Sequence, residues 1–211
     1  MEQRTDEWLR VRLGKVTASR LADVMAKTKS GYGASRENYM TDLLVERLTG
    51  SMVGGFTNSA MEWGIEHEKD ARLFYAFLTE HMVTEVGFVP HPEIADFGAS
   101  PDGLVGTDGL VEIKCPNTKT HIETLITDKI ARKYILQMHA QMMCTGREWC
   151  DFVSYDPRLP DHMQLYVQRV HRDDELVEEI ETEVRAFLDQ LSAIINALNG
   201  DDKSYANIRV H

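Results

Sequence analysis

The order of hydrophobic patterns along the chain predicts a mixed central β-sheet flanked by helices, an α/β or α+β fold. Three observations carry this. The first third of the sequence reads in helical periods. The middle is broken into short β-branched runs punctuated by Gly and Pro. A further helical stretch then leads to two alternating segments and a long amphipathic closing helix. The 211 residues suit one domain with a real core. It would comprise a helical N-terminal part (1–82), a sheet core (83–172) and a C-terminal helix (173–198).

Each element has its own signal. "TDEWLRVRLG" starts a helix at an Asp6 cap and stops it at Gly14. "TASRLADVMA" restarts at Thr17 or Ser19, and "SRENYMTDLLVERLTG" places Tyr39, Leu43, Leu44 and Leu48 at helical spacing before Gly50. "NSAMEWGIEHEKDARLFYAFLTEH" is a long helix with a stripe of Ala60, Gly64, His67, Ala71, Phe74 and Leu78. "VTEVGFVP", "FGAS", "GLVG" and "GLVEIKC" read as short strands. Residues 117–126 and 129–144 read as helices, and "WCDFVSY" and "MQLYVQRV" alternate as strands. The closing helix turns Leu176, Ile180, Val184, Phe187, Leu188 and Leu191 inward.

Composition narrows the function classes. No apolar run reaches the ~18 residues of a membrane span, and the polar "MEQRTDEWLR" lacks a signal-peptide core. Cys115, Cys144 and Cys150 are odd in number and without CxxC spacing. They argue against a disulfide framework or a four-cysteine metal site, and the expected compartment is a reducing cytoplasm. The net charge of −11 is unevenly spread: residues 171–202 carry −8 of it, whereas 114–147 are net +4 and 1–50 net +2. The acid is a solvated C-terminal face, and a basic working surface elsewhere remains open.

The chemistry concentrates in "GASPDGLVGTDGLVEIKCP" (98–116). With "LVEIKC" as a strand, Val111 and Ile113 share one face while Glu112 and Lys114 share the other. Whether Asp102 joins them depends on hairpin register. A two-residue Asp108–Gly109 turn sends it to the opposite face. A three-residue loop, Thr107 to Gly109, with Gly109 left-handed, places 104 opposite 112 and 102 opposite 114. Converging carboxylates bind a hard cation such as Mg²⁺ through oxygen, and a lysine beside them can orient water, which suits phosphodiester hydrolysis. A surface hairpin with a Glu–Lys pair and a turn aspartate shows the same spacing.

"SPDG…EIKCP" resembles the core of the PD-(D/E)XK, restriction-endonuclease-like nuclease superfamily. "EWLRVRLGKVTAS", "MEWGIEHEKDA" and "SYDPRL" extend the likeness, over roughly residues 6–172, to the phage-type alkaline exonucleases, the lambda exonuclease / YqaJ viral recombinase family. The resemblance implies a Mg²⁺-dependent exonuclease, with Mn²⁺ as a substitute and two ions at the site. It would digest one strand of linear double-stranded DNA 5′→3′ and leave 3′ tails for a single-strand annealing recombinase. It further implies a ring-shaped homotrimer and a phage or prophage origin. By position, Asp102, Glu112, the Ile113 carbonyl and Glu68 resemble metal ligands, and Lys114 the lysine that handles the attacking water. Arg12, Ser19 and Ser100 resemble the receptor of the terminal 5′-phosphate. Gln137 and His139 fall where the family carries paired glutamines, His139 departing from the pattern. Met61 matches an apolar wedge at the duplex end. The competing readings are an endonuclease or junction resolvase on the same core, and a degenerate DNA-binding module.

Overall fold

The computed structural model describes residues 2–29, 31–54 and 59–200, apart from the side chains of Ala60 and Met61. The N-terminal part begins with helix α1 (Asp6–Arg12), strand β1 (Val16–Thr17), a 3-10 turn (Ala18–Arg20) and the single-turn helix α2 (Leu21–Val24). The two-residue strands β2 (Lys27–Thr28) and β3 (Gly31–Tyr32) pair with each other before helices α3 (Ala34–Thr49) and α4 (Ser59–Thr79). Next come β4 (Val83–Thr84), β5 (Val89–Pro90), β6 (Phe97–Ala99), β7 (Gly103–Val105) and β8 (Gly109–Lys114). Helices α5 (Thr118–Thr127) and α6 (Arg132–Thr145) lead to β9 (Trp149–Tyr155), β10 (Leu165–His171) and the long α7 (Asp174–Asn199).

Two details of the N-terminal reading change. Thr5, not Asp6, caps α1, its hydroxyl accepting from the Trp8 N–H at 3.2 Å. The restart near Thr17 is a 3-10 turn running into a helix of four residues, too short to offer a developed helix dipole. α3 ends at Gly50 in the left-handed conformation, φ 68°, as a C-terminal glycine allows.

The main sheet has the order β10-β9-β8-β7-β4. It is mixed: β8 and β9 run parallel, and every other neighbouring pair is antiparallel. The crossover from β8 to β9 carries α5 and α6. Side chains alternate across β8. Val111 and Ile113 pack with Ala71 and Tyr75 of α4 and with Val153 and Tyr155 of β9. On the other face Leu110 meets Met138 and Met142 of α6, together with Cys150 and Phe152. The far side of α6 closes a second core with α2, α3, α7 and the small sheet β1-β6-β5. All six predicted inward residues of α7 are buried there. The stripe on α4 is offset: Ala71 and Tyr75 are buried, whereas Leu78 is exposed.

The hairpin carrying the carboxylates has a three-residue loop, but it is Gly106-Thr107-Asp108. Val105 pairs with Gly109 and Gly103 with Val111. Gly106, not Gly109, takes the left-handed position at φ 54°. The register is two residues from the expected one, so every side chain keeps its predicted face. Continued by one residue, it sets Asp102 opposite Glu112 rather than Lys114. Gly109 is needed for a different reason: a Cβ there would come within 2.0 Å of the Trp149 ring. Among the described residues no helix is long and apolar enough to cross a membrane.

Candidate active site

The C-terminal half of β8 and the residues just before β7 floor a cleft of about 1010 Å³. Glu68, Trp63 and Gly64 of α4 line it, as do Asp102, Ile113, Lys114, Lys133, Tyr134 and Arg158. The strand ends there because Pro116 and the α5 cap Asn117 follow directly.

Glu112 has no exposed surface, and its charge is met from three sides. Lys114 Nζ lies 2.5 Å from Oε1. Gln137 Nε2 donates to the same oxygen at 2.7 Å, and Gln141 Nε2 donates to Oε2 at 2.5 Å. A buried carboxylate needs this many donors. They also fix its rotamer. Asp102 accepts the Ile113 N–H at 2.7 Å, which turns its carboxylate across the end of β8. Burial first, then the charges of Glu112 and Glu68, hold its carboxyl well above the usual aspartate range, against the pull of Lys114 and the Ile113 N–H. Burial works against the Lys114 charge, but Glu112 and Asp102 outweigh it and raise the amine above its ordinary value. Lys114 is therefore an ammonium at neutral pH. Cys115, the thiol beside it, is pushed up to about 12 by burial and the nearby carboxylates, so it is no nucleophile.

Glu68 reaches the cleft, with 15% of its side chain exposed, and is ion-paired to Arg72 at 2.8 Å and to Arg4. Glu66, the alternative on the same helix, is exposed away from it. Among the described residues no three His, Cys, Asp or Glu side chains form a ready-made metal cage. The donor set nevertheless fits a hard cation. It offers carboxylate oxygens, and Asp102 carries a charge that its neighbours disfavour and a dication would relieve. Mg²⁺ is commonly held by one or two carboxylates with water and substrate phosphate completing its shell.

A second recess, of about 150 Å³, meets the cleft at Arg4 and Ser19. Arg12, Ser19, Ser100 and Gln137 line it, with Trp8 and Thr17. Arg12 lies over the Trp8 indole, 3.7 Å from guanidinium carbon to ring centroid. Trp8 Nε1 donates to Ser100 Oγ at 2.9 Å, and the Ser19 and Thr17 hydroxyls are 3.3 Å apart. Arg12 Nε is buried with no hydrogen-bond partner among the described residues. A fixed cation with unused donors is what an anion pocket requires.

The structure thus brings Asp102, Ile113, Lys114 and Glu68 to one cleft, with Glu112 fully buried against Lys114, and Arg12, Ser19, Ser100 and Gln137 to its annex. It does not bring His139 there. That ring is buried on the opposite side of α6, with Nδ1 2.8 Å from the Ile135 carbonyl and Nε2 accepting the Asp173 N–H at 3.2 Å. It fastens the start of α7. Gln141, four residues from Gln137, is the second glutamine at the site. Its i,i+4 spacing was the signal, as it was for Trp8 and Arg12. The side chain of Met61 lies outside the described residues. A separate depression of about 370 Å³ bordered by His91, Glu148, Arg172 and Glu181 shares none of these residues.

A mixed sheet with helices on both faces, presenting Asp, Glu and Lys at a strand end, defines the PD-(D/E)XK class. The chain belongs to the YqaJ-like viral recombinase domain family, whose model matches residues 7–148. Among solved structures it is similar to the alkaline exonuclease LHK-Exo from Laribacter hongkongensis, at 57% identity and a TM-score of 0.88 over 97% of this chain and 100% of that one. The same protein has been solved in complex with dAMP, with the same figures. A phage-related exonuclease from Haemophilus somnus 129PT shares the fold at 15% identity and a TM-score of 0.68, over 87% of this chain and 96% of that one. No curated protein matches.

Proposed function

We propose that the chain is a metal-dependent deoxyribonuclease that degrades one strand of linear duplex DNA from its 5′ end, leaving 3′ tails for a single-strand annealing recombinase in phage-type recombination. The observation that carries this is the Arg12 recess, a cationic annex opening beside the carboxylate–lysine cluster. An enzyme that cuts anywhere in a duplex needs no dead-end anion pocket. The alkaline exonuclease name of the 57% identical relative, and the dAMP in its structure, support the same reading.

Asp102, Glu112, the Ile113 carbonyl and Glu68 would hold Mg²⁺ or Mn²⁺, as one ion or two. The metal supplies Lewis acidity and a lowered water pKa. The chain's own groups do the rest. Gln137 and Gln141 keep Glu112 in one rotamer. Lys114 donates hydrogen bonds to the water or to the phosphoryl oxygens. Arg12 with Ser19 and Ser100 receives the terminal phosphate, which each round of cleavage regenerates on the remaining strand.

With Mg²⁺, nucleotides should be released from linear duplex, while covalently closed duplex survives. Cutting of the closed form would favour the endonuclease reading. Arg12 sets the direction. Hydrogen bonds to a charged group are worth ~1.5–3 kcal/mol, or roughly 10- to 100-fold. The enzyme should therefore prefer 5′-phosphorylated over 5′-hydroxyl ends, and Arg12→Ala should erase most of that preference. Lysine should restore part of it, since it lacks the planar fork. An unchanged preference in Arg12→Ala would show that another group holds the phosphate. A homotrimeric ring, which keeps a net-acidic protein on its substrate, belongs to the same proposal. Light scattering that finds monomer alone at working concentration would exclude it.

A further inference from the structure

The wall of the cleft carries a cation that this mechanism has not used. Arg158 follows β9 in "SYDPRL" and is braced twice. Asp156, with no exposed surface, accepts from Arg158 Nε at 2.7 Å and Nη2 at 2.8 Å. It also accepts the Arg158 backbone N–H at 3.0 Å. Although burial raises the Asp156 carboxyl, hydrogen bonds from Arg158 and Thr118 bring it down to about 2, so the fork faces a permanent carboxylate. The second brace is aromatic. The guanidinium lies 4.2 Å from the centroid of the Trp63 ring, and Trp63 stacks on His67 at 3.7 Å and 23°. Three planar groups from α4 and the β9 loop therefore form one pile at the mouth of the cleft.

The pile does not use every donor that it brings to the cleft. Here two remain. Arg158 Nη1 has no hydrogen-bond partner among the described residues, and 45% of the Arg158 side chain is open to solvent. Trp63 Nε1 is buried and likewise unpartnered among them. Both residues line the cleft that holds Asp102 and Lys114. Neither lines the Arg12 recess, which meets the cleft only at Arg4 and Ser19. One strand of a duplex presents a phosphate about every 3.4 Å of helix axis. An end seated in the recess therefore brings further phosphates against the cleft wall.

We propose that Arg158, fixed by Asp156 and stacked on Trp63, is a second phosphate clamp that takes an internal backbone phosphate of the nucleic acid, separate from the terminal phosphate assigned to Arg12. The inference rests on the reading of the chain as a DNA-degrading enzyme and adds a contact that reading does not require. A planar fork is suited to the task. One edge is spent on the buried carboxylate, which pre-orients it; Nη2 also reaches the Pro116 carbonyl at 3.4 Å, and Nη1 is left for phosphate. A lysine could not divide its donors in this way.

The test is the salt dependence of binding, with a short blunt duplex in chelator so that nothing is cut. Arg158→Ala should weaken binding about 10-fold, equally for 5′-phosphate and 5′-hydroxyl ends. It should lower the slope of log affinity against log salt by about 1, the signature of one lost phosphate contact. Because Arg158→Ala strands a buried carboxylate, the double variant Asp156→Asn/Arg158→Ala is measured beside it. Its slope should fall by the same amount. An unchanged slope in both variants overturns the proposal and leaves Arg158 a structural brace. A loss confined to 5′-phosphorylated ends also overturns it, because Arg158 would then serve the terminal phosphate. If the wild-type chain itself does not bind duplex, the functional reading fails and this inference fails with it. If it binds and degrades duplex with the variants' slopes unchanged, this inference alone fails.

Discussion

Asp102→Asn is expected to reduce DNA hydrolysis by on the order of 10³-fold or more while leaving the protein folded. The size follows from the proposed role: the substitution would remove a charged oxygen ligand where negative charge develops. The survival of the fold follows from geometry. Asparagine still presents an oxygen to the Ile113 N–H, the contact that Asp102 makes at 2.7 Å. The sign of the stability change can be worked out. Asp102 has its folded pKa raised, first by burial and then by Glu112 and Glu68. Its folded form therefore binds a proton more tightly than the unfolded chain does. Stability conferred by that proton is full below the ordinary aspartate pKa. It is lost as pH rises through the raised folded value. At neutral pH without metal, Asp102→Asn should thus be as stable as wild type or more so. Mg²⁺ should then raise the melting temperature of wild type but not of the variant, since only a ligand that binds the folded form stabilises it. Near wild-type hydrolysis by the folded variant would remove Asp102 from the site. An equal Mg²⁺ response in both proteins would place the ion elsewhere.

How far the sequence showed this site depends on which distances set each feature. Where one local period decides, the reading was close. Strand β9 spans Trp149–Tyr155, the segment its alternation marked out, and α7 buries the stripe its spacing predicted. Glu112 and Lys114 share a face because β8 is a strand, and Asp102 joins them because the loop has three residues. Where a long-range partner decides, the reading failed in detail. Asp-Gly at 108–109 is a turn signal, but Gly109 answers to Trp149 across the parallel pair β8–β9, so the left-handed position fell to Gly106. The stripe of α4 was drawn through Leu78 because "FYAFL" is apolar on every side. Tyr75 wins the inward place through a hydroxyl partner 76 positions away. On α6, 137 and 141 are one helical turn apart, whereas 139 lies about 200° around the helix from 137 at 3.6 residues per turn. The spacing therefore held the information that 139 cannot share a face with 137, but the reading took His139 from its family position and passed over Gln141. The segments "SYDPRL" and "MEWGIEHEKDA" stood out in the sequence, but nothing local showed that Asp156, Arg158 and Trp63 meet, since the contact joins a loop to a helix more than ninety residues earlier.

The same Tyr75 contact underlies the second large effect, the loss of stability in Asp151→Ala. Asp151 stands on β9 opposite Val111 of β8 and Arg169 of β10. It is 3% exposed. It accepts from Tyr75 Oη at 2.7 Å, Arg169 Nε at 2.8 Å and Arg169 Nη2 at 3.0 Å. Arg169 in turn covers Trp149, 3.5 Å from its ring centroid. Removing the carboxylate leaves a buried hydroxyl and a guanidinium without their acceptor. Breaking a buried pair from one side costs roughly 3–5 kcal/mol. The Arg169 side chain is 40% exposed, so solvent recovers part of that loss, and about 3 kcal/mol is the expected cost. For a chain of this length it corresponds to a fall of about 6–12 °C in melting temperature. Tyr75→Phe should cost about 1.5 kcal/mol, the low end for a hydrogen bond to a charged group. The double variant should fall short of the sum by a similar amount, because the two changes delete one shared bond. Strict additivity would show that Asp151 acts through Arg169 alone. The consequence reaches the cleft. Tyr75 and Glu68 are seven residues apart on α4, about two turns, so they lie on one side of the helix. The bond to Asp151 is what seats that side on the sheet. Tyr75→Phe should therefore shift hydrolysis more than its small stability cost implies, if Glu68 works at the metal. Activity that tracks stability alone would take Glu68 out of the catalytic group.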